Sequence, residues 1–457
     1  MRLVIVGGGG FRVPLVYRAV SQGKYAGLID SVVLHDIEPS RLEAIAAVLE
    51  AMPFTGPPVT LSTELEAALP GADVVFAATR VGGAAGRVLD EKVALGLGLL
   101  GQETTGAGGI SYALRSLPFM LELAEAMRRL CPKAWLINFT NPAGMVTQAL
   151  QGVLGQKVIG ICDSPIGLVR RAARAAGVPL ATGSLSGVDY VGLNHLGWLR
   201  GLEYDGVDRL PGLLSRPGAL ASFEEGRLFK ADFLHALGAI PNEYLFYYYR
   251  RGQAFAAIQG SPQTRGESIA EAQRLSYPEL RGPEAFQRWE AARREREEGY
   301  LAEARSPKDG VQEQRDEADL AGGGYEEVAL AAMAALLTGE RSELILNVPN
   351  GGTIAALPAD AVIEVPSGID ASGASPLPLK SQPEPHQLGL MAQLKAVETA
   401  VVRAVLNGER DQAELAFALH PLVGDEKLAS RVLISYEETF PELRKLWAEP
   451  AGTRYAS

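Results

Sequence analysis

The chain has 457 residues, of which 47% are hydrophobic and 21% charged, and these values predict a soluble globular protein with two domains. The formal net charge of -11 argues against wholesale binding to nucleic acid or to an anionic membrane, and no apolar run approaches a membrane span in length. The N-terminus lacks a signal-peptide pattern, and Cys131 and Cys162 alone cannot build a disulfide framework. We therefore expect a cytoplasmic enzyme with reduced thiols.

The first segment predicts a dinucleotide-binding unit. Arg2 to Val6 has the composition of a buried strand, the glycines at positions 7–10 predict a turn, and Leu15 to Ser21 predicts a helix. A pyrophosphate binds at the helix N-terminus in this setting. The fingerprint G-x-G-x-x-G is incomplete, because Arg12 stands at its third glycine position.

The next predicted strand, Ser31 to Leu34, leads into His35 and Asp36. An acidic side chain about 20 residues beyond the glycines can accept hydrogen bonds from an adenosine ribose, which favours NAD over NADP. The alternative is that Asp36 caps the helix expected after Pro39. We expect His35 at the surface.

Three further strands are predicted in this half, at Ala72 to Ala78, Ala134 to Ile137 and Lys157 to Ile161. The helices predicted around them are Glu64 to Leu69, Ser111 to Leu130 and Ala143 to Leu154. The alternation predicts an α/β fold with a doubly wound parallel sheet of about five or six strands. Ligands of such sheets bind at the carboxyl ends of the strands, which here carry Thr79, Asn138 to Asn141, and Cys162-Asp163.

Two glycine-rich segments are predicted to be loops that line a site. One contains Arg80 and Arg87, and the other runs from Gly101 to Gly109 and contains Glu103. Ordering such segments costs much conformational entropy, and long loops in compact domains are usually functional.

Cys162 and His195 each have an ordinary alternative interpretation. Cys162-Asp163 alone also fits a buried thiol followed by a helix-capping aspartate. His195 lies at a strand end flanked by glycines. Considered by itself, it also fits a histidine that is buried in the core and hydrogen-bonded.

The second half has a different pattern. The mixed-charge helix Trp289 to Arg305 is expected on a solvated, mobile surface without a chemical role, and Tyr325 to Leu337 is expected to be buried or at a subunit contact. Residues 240–250 concentrate tyrosines that cannot all lie in the core of one helix. The other predicted elements are a helix at Leu168 to Ala176, a strand pair around Gly183 to Val191, strands at Leu344 to Pro349 and Ala361 to Val365, and helices at Leu388 to Asn407, Gln412 to Ala418 and Glu426 to Trp447.

Four motifs, in this order, resemble those of the family 4 glycoside hydrolases, which require NAD and a divalent metal. They are Gly101 to Gly109, Asn138 to Pro142, Gly160 to Pro165 together with Asn194-His195, and Asn347 to Gly352 running into Val365-Pro366. The resemblance covers nearly the whole chain. It implies a Rossmann domain at residues 1–165 and, at 166–457, an α+β substrate, metal and oligomerisation domain like the C-terminal domain of lactate dehydrogenase.

The resemblance also implies a reaction unlike that of the two-carboxylate glycosidases. Bound NAD takes a hydride from C3 of the sugar, a base removes the C2 proton, and the C1–O bond breaks by elimination. Water then adds, and the hydride returns to C3. A divalent metal, expected to be manganese, stabilises the developing oxyanion.

By the same resemblance, Cys162 and His195 are metal ligands, since a thiolate with an imidazole suits Mn, Ni, Co or Fe. Tyr244 is the base, its pKa lowered by the cation, with Tyr247 or Tyr248 as alternatives. Asp163 resembles the leaving-group acid of α-selective members.

The remaining site residues implied by the resemblance bind cofactor and substrate. Glu103 and Asn141 bind sugar hydroxyls, and Arg87 and Arg265 lie at a 6-phosphate. Arg12 either replaces a phosphate-binding hydroxyl residue or is a surface arginine. The expected cofactor-binding residues are Gly7, Gly8, Gly9, Gly10, Phe11, Arg12, Asp36, Thr79 and Asn138.

The motifs conflict on the anomer. Glu103 to Thr105 and Asn138 to Thr140 resemble 6-phospho-β-glucosidases, whereas Cys162-Asp163 and Gly109 to Tyr112 resemble 6-phospho-α-glucosidases. We favour the β-enzyme. The alternatives are the α-enzyme, another family 4 glycosidase of the α-galactosidase or α-glucuronidase type, and an NAD-dependent hydroxyacid or sugar dehydrogenase. Alanine-rich apolar helices suggest a homodimer or homotetramer.

Overall fold

The structure is a computed structural model that describes residues 1–300 and 324–448. Its strands are β1 (Arg2–Val6), β2 (Ser31–His35), β3 (Val59–Ser62), β4 (Val74–Ala77), β5 (Trp135–Asn138), β6 (Val158–Gly160), β7 (Val188–Leu193), β8 (Leu196–Tyr204), β9 (Val207–Asp208), β10 (Ile240–Pro241), β11 (Ser342–Pro349), β12 (Val362–Asp370) and β13 (Gly373–Pro376). Within the described ranges they form one 13-stranded sheet.

The helices of the first half of the chain, which here means the part up to Ala176, alternate with the strands. They are Val13–Ser21, Pro39–Glu50, Leu65–Ala68, Gly83–Gly96, Gly106–Leu130, Ala143–Leu154 and Ser164–Ala176. Those that follow are Leu210–Leu214, Pro217–Leu220, Glu224–Leu228, Ala231–Leu237, Phe246–Tyr249, Arg251–Gly260, Arg265–Ser276, Ala285–Glu298, Tyr325–Thr338, Pro385–Asn407, Arg410–Leu419, Glu426–Thr439 and Glu442–Ala448. Short 3-10 turns occur at Gly23–Tyr25, Gly155–Lys157, Glu243–Leu245 and Tyr277–Glu279.

The first half is a Rossmann-like parallel sheet in the order β3-β2-β1-β4-β5-β6. All of its adjacent strand pairs are parallel. Side chains alternate between its two faces: Leu3 and Ile5 pack into one core cluster and Val4 and Val6 into the other. The predicted doubly wound α/β fold is therefore confirmed, with β3 as a strand that the sequence analysis missed.

The second half continues the same sheet with antiparallel strands. β11 pairs with β6 at Asn347 and Gly160, and β12 pairs with β7 at Glu364 and Gly192. The expected domain boundary at residue 165 falls in the first turn of helix Ser164–Ala176. The two expected domains are thus joined through continuous strand pairing, which fixes the ends of β6, β7 and β11 close together.

The predicted glycine-rich loops are largely helical. Arg87 lies inside helix Gly83–Gly96, and Gly106 to Gly109 form the first turn of helix Gly106–Leu130. These glycines are needed for close packing: a Cβ on Gly108 would lie 2.2 Å from the Gln102 carbonyl oxygen. The small residues therefore let this helix begin directly against the segment that carries Glu103.

Several other expectations about the elements are wrong. His35 is buried, because it ends a central strand and its Nδ1 lies 3.1 Å from the Ser62 carbonyl oxygen. The mixed-charge helix ends at Glu298 and buries one face, and Arg305 lies outside the described residues. The predicted helix from Glu426 to Trp447 is two helices separated at Phe440-Pro441.

Helix Tyr325–Thr338 packs against β12 and helix Val13–Ser21 of the same chain, so its apolar face is part of this chain's own core. None of the helices in the described ranges combines the length and the apolarity needed to span a membrane.

Candidate active site

A cleft of about 1210 Å³ opens at the carboxyl ends of β1, β4, β5 and β6 and is closed on its far side by segments of the second half. Most of the site residues expected from the sequence line it: Gly7, Gly10, Phe11, Arg12, Asp36, Thr79, Arg87, Glu103, Asn141, Cys162, Asp163, His195, Tyr244 and Arg265. Gly8, Gly9 and Asn138 do not line it.

The glycine turn after β1 has a steric reason for its composition. Gly7 has φ 90°, and a Cβ there would lie 2.5 Å from the Ala78 carbonyl oxygen. The N–H groups of Gly7 and Gly8 both donate to the His35 carbonyl oxygen, at 2.9 and 2.7 Å. Gly8 and Gly9 therefore shape the turn, while Gly7 and Gly10 face the cleft.

Asp36 links this turn to β2. Its Oδ2 accepts from the Gly9 N–H at 3.0 Å, and its Oδ1 accepts from the Glu38 N–H at 3.2 Å. Glu38, not Asp36, is the N-cap residue of helix Pro39–Glu50. The carboxylate borders the cleft, where the ribose interpretation requires it.

Asn138 supports the β5 loop. Its Nδ2 donates to the Thr140 carbonyl oxygen at 3.2 Å and to Thr147 Oγ1 at 3.2 Å, and its Oδ1 accepts from the Thr140 N–H at 3.0 Å. These bonds occupy the amide, so we assign Asn138 to loop geometry instead of cofactor contact. Asn141, in contrast, lines the cleft and has a buried Oδ1 without a partner in the described structure.

Cys162 and His195 reach the cleft from different strands. Cys162 follows β6, and His195, with φ 62°, forms the tight turn between β7 and β8. Burial raises the pKa of the Cys162 thiol and lowers that of His195 to about 3. The imidazole is therefore neutral and able to donate a lone pair, whereas the thiolate needs a cation to form.

The chemistry of the two donors, a thiol and a neutral imidazole, suits a divalent cation in an open site. His195 Nδ1 is buried and has no hydrogen-bond partner among the described residues. The described ranges hold no cluster of three or more histidine, cysteine or carboxylate side chains suited to a metal. One sulfur and one nitrogen ligand would leave coordination positions for substrate oxygens, as Lewis-acid catalysis requires.

Tyr244 lies directly on His195. Their rings stack at 3.7 Å with an interplanar angle of 10°, and Tyr300 Oη lies 3.3 Å from Tyr244 Oη. Burial and the charge of Glu243 raise the Tyr244 pKa well above its ordinary value. The lowered pKa expected from the sequence therefore depends on the field of a bound cation.

The alternative tyrosines have other surroundings. Tyr247 borders the cleft, whereas the Tyr248 ring stacks on His420 with centroids 6.2 Å apart. Of the three tyrosines, Tyr244 is the one whose ring stacks on His195 in the part of the chain that the structure describes.

A carboxylate that the sequence analysis did not single out joins two of the sequence motifs. Glu364 on β12 accepts hydrogen bonds from Asn347 Nδ2 at 2.9 Å and Asn194 Nδ2 at 3.3 Å. Asn194 Oδ1 accepts from the Ala143 N–H at 3.0 Å. Burial raises the Glu364 pKa to about 7 despite these donors. The network fixes the His195 turn against the Asn141-Pro142 loop.

An arginine group surrounds Glu103. Arg87 Nη1 lies 2.6 Å from Glu103 Oε1, and Arg80 contacts Oε2. Burial would raise the Glu103 pKa, but the surrounding guanidinium groups, Arg80 and Arg87 first, lower it to about 2. Arg87 is further held by Glu91 at 2.9 Å.

Helix Ala285–Glu298 and the residues just after it contribute side chains that the sequence analysis placed on a solvated surface. Trp289, Arg293 and Glu297 are buried, and their i, i+4 spacing is a signal of an inward face. Arg296, Glu297 and Tyr300 line the cleft. Because this helix is rich in charged residues, its sequence did not indicate the buried face.

Arg296 is the clearest anion-binding candidate on this helix. None of the described residues forms a salt bridge with its side chain, although Arg265 Nη2 donates to its carbonyl oxygen at 2.6 Å. Burial, and next the positive charge of Arg12, lower the Arg296 pKa to about 10. An anion between these guanidinium groups would relieve that repulsion.

Arg12 is half-buried and paired with acidic side chains. Its guanidinium bridges Asp163 at 3.3 Å and Glu297 at 3.2 Å, so it joins the glycine turn to the second half.

Comparison with known proteins identifies the family. Residues 2–178 match the sequence model described as "Family 4 glycosyl hydrolase", and residues 190–423 match its C-terminal domain. The chain belongs to family 4 of the glycosyl hydrolases. The resemblance predicted from the four motifs is thus confirmed.

Family 4 relatives match over almost the full length. A 6-phospho-β-glucosidase from Escherichia coli K12 is 30% identical over 98% of each chain. A maltose-6'-phosphate glucosidase from Bacillus subtilis is 29% identical over 98% of this chain and 96% of its own. The solved 6-phospho-β-glucosidase of Thermotoga maritima with NAD and glucose-6-phosphate is 27% identical, with TM-score 0.79 over 97% of this chain and 99% of that one.

Proposed function

We propose that this family 4 enzyme hydrolyses 6-phospho-β-glucosides, using NAD and a divalent cation that is expected to be manganese. The observation that carries the proposal is one cleft that joins the glycine turn, the Cys162–His195 pair and a group of arginines. A relative named 6-phospho-β-glucosidase, matched over 98% of this chain, and one named probable 6-phospho-β-glucosidase, matched over 82%, support the substrate class. The T. maritima enzyme of that name was solved with manganese, NAD+ and glucose-6-phosphate.

The first half supplies the NAD site. The turn at Gly7 and Gly10, which leads into helix Val13–Ser21, would bind the pyrophosphate, and Asp36 the adenosine ribose. The order of the strands reverses between β1 and β4. Thr79 lies at the end of β4, across this point from β2 and Asp36, where the nicotinamide end is expected.

The reaction needs groups that hold a sugar and move a proton at C2. When bound, NAD reversibly accepts the C3 hydride and the cation polarises the oxygen on that carbon. Tyr244 would remove the C2 proton, with its ring held by His195 and its hydroxyl oriented by Tyr300. Asn141 and Glu103 border the same space and can hydrogen-bond sugar hydroxyls.

The 6-phosphate is assigned to Arg265 and Arg296. Arg87, predicted for this role, is already bound by Glu91 and Glu103. The Arg296 side chain forms no salt bridge with a described residue, and repulsion from Arg12 and Arg265 favours an anion beside it.

The second candidate is a 6-phospho-α-glucosidase, favoured by Asp163 at the cleft beside Cys162. A leaving-group acid must donate a proton, but the Asp163 carboxylate is engaged by Arg12 at 3.3 Å. This contact makes the β-enzyme the preferred assignment.

We also propose a cytoplasmic homo-oligomer. The apolar helix Tyr325–Thr338 is covered by its own chain, but the helices from residue 385 onward expose large hydrophobic side chains. They are Leu406, Leu415, Leu419 and Ile434. Light scattering after size exclusion would measure the assembly, and a monomer would contradict this part of the proposal.

The deciding experiment is nitrophenol release from α- and β-glucosides with and without a 6-phosphate. We expect cleavage of the phosphorylated β-glucoside to require both manganese and NAD, and no net NADH to accumulate. Equal activity in chelator without NAD would contradict the mechanism. Stoichiometric NADH formation would favour a dehydrogenase, and preferential cleavage of the phosphorylated α-glucoside would favour the second candidate.

A further inference from the structure

The glycine turn is held from outside by the second half of the chain. Tyr277 Oη donates to the Gly9 carbonyl oxygen at 2.7 Å, and Trp289 Nε1 donates to the Phe11 carbonyl oxygen at 2.8 Å. The two donors lie 268 and 278 residues further along the chain than their acceptors. These bonds tie the expected cofactor turn to the helices around residues 265–298.

Aromatic packing reinforces the two bonds. The Phe11 ring lies 5.9 Å from Tyr277 and 6.2 Å from Trp289 between centroids. Arg41 lies over the Tyr277 ring at 4.3 Å and donates to Gln273 at 2.8 Å. Phe11 in the glycine turn therefore packs against two aromatic side chains of the second half.

The same segment closes one side of the expected dinucleotide site. Gln273, Ile269 and Ser268 line the cleft together with Asp36 and Gly10. A dinucleotide bound there would lie between the glycine turn and helix Arg265–Ser276. Contacts that hold these two walls together would therefore slow its release.

We propose that Tyr277 and Trp289 form a clamp across the two halves that orders the glycine turn before NAD binds and slows NAD release. Preorganised turn geometry lowers the ordering cost of binding. Slow release suits a cofactor whose hydride returns in every cycle. The inference rests on the proposed use of NAD and adds two positioning residues that do not touch the reacting atoms.

The test measures NADH release from the full chain by stopped-flow fluorescence, with excess NAD as competitor and without cation or glycoside. Tyr277→Phe is expected to release NADH about fivefold faster, the loss typical of one neutral hydrogen bond. Tyr277→Phe combined with Trp289→Phe is expected to release it about twentyfold faster.

Tyr17→Phe is the matched control. Tyr17 lies on the helix that follows the turn, and its Oη donates to the Pro57 carbonyl oxygen at 3.0 Å, outside the turn. Its NADH release is expected to stay within about twofold of the wild type. Thermal melts of the cofactor-free variants establish folding, and the Tyr277→Phe variant alone decides the test if the double variant does not fold.

The outcomes separate the clamp from the proposed function. If Tyr277→Phe releases NADH at the wild-type rate, or if Tyr17→Phe accelerates release equally, the clamp is wrong and the glycosidase proposal stands. If the wild-type chain binds no NADH, the proposed function is wrong as well.

Discussion

At the scale of residues, the structure separates side chains that touch the reaction space from those that shape it. Cys162, His195 and Tyr244 border the cleft directly. Asn138 and Gly8, in equally distinctive motifs, instead maintain the backbone around it. A motif therefore indicates which segment of the chain forms the site. The hydrogen-bond partners of each side chain show whether that side chain faces the cleft or supports the backbone around it.

Cys162→Ser is expected to remove cation-dependent activity while leaving NAD binding intact. Serine retains a similar shape but lacks the readily ionised sulfur that a divalent cation binds. We expect cation affinity to fall about 100-fold or more and NADH affinity to stay within about twofold. Isothermal titration with Mn²⁺ and NADH fluorescence would measure the two effects, and unchanged Mn²⁺ affinity would remove the ligand assignment.

Arg296→Met tests the anion assignment. Loss of a charge-assisted contact is expected to raise the KM for the phosphorylated glucoside about tenfold or more, with kcat changed less. Arg294→Met, on the exposed side of the same helix, is the control and should leave KM nearly unchanged. An equal effect of the two substitutions would show that general electrostatics, and not a phosphate contact, is responsible.

At the scale of elements, the N-terminal ends of two helices position residues that line the cleft. Helix Gly106–Leu130 starts against the segment holding Glu103, and helix Arg265–Ser276 starts with a capping box between Thr264 and Glu267. In the sequence, the glycines of the former helix are typical of loops, whereas Thr264 to Glu267 is typical of a helix start. Both in fact position a charged residue at the cleft.

Gly108→Ala is expected to destabilise the fold and to reduce activity by displacing the Glu103 segment. The added Cβ would lie 2.2 Å from the Gln102 carbonyl oxygen, a clash expected to cost about 1–3 kcal/mol. Gly152→Ala, in a helix with nothing within 4 Å of its Cβ position, should instead stabilise by about 0.5–1 kcal/mol. Urea unfolding of both variants measures the difference, and equal effects would contradict the packing argument.

At the scale of the whole molecule, one continuous sheet brings the two halves to a common cleft. Pairing of β11 with β6 places the Asn347 motif beside the end of the Rossmann sheet. Glu364 then joins this motif to Asn194. The site is therefore incomplete in either half alone.

The fold of the first half could be predicted from sequence because its signals are local. Short apolar runs, glycine turns and helix periods each report on neighbouring residues, and parallel strands require this alternation. Most of the expected cleft residues follow these strand ends, so they were predictable as well. The family followed from motifs whose order and spacing the chain displays directly.

The placement of Arg296, Tyr300, Glu364 and Tyr277 was decided only by the tertiary structure. Their partners are distant in sequence, as in the contact of Arg12 with Glu297, 285 residues away. The composition of helix Ala285–Glu298 is typical of a solvated helix, since burial of one face depends on what packs against it. Local patterns thus determined the cofactor half and the family, whereas charge pairing and packing between distant segments determined which side chains complete the site.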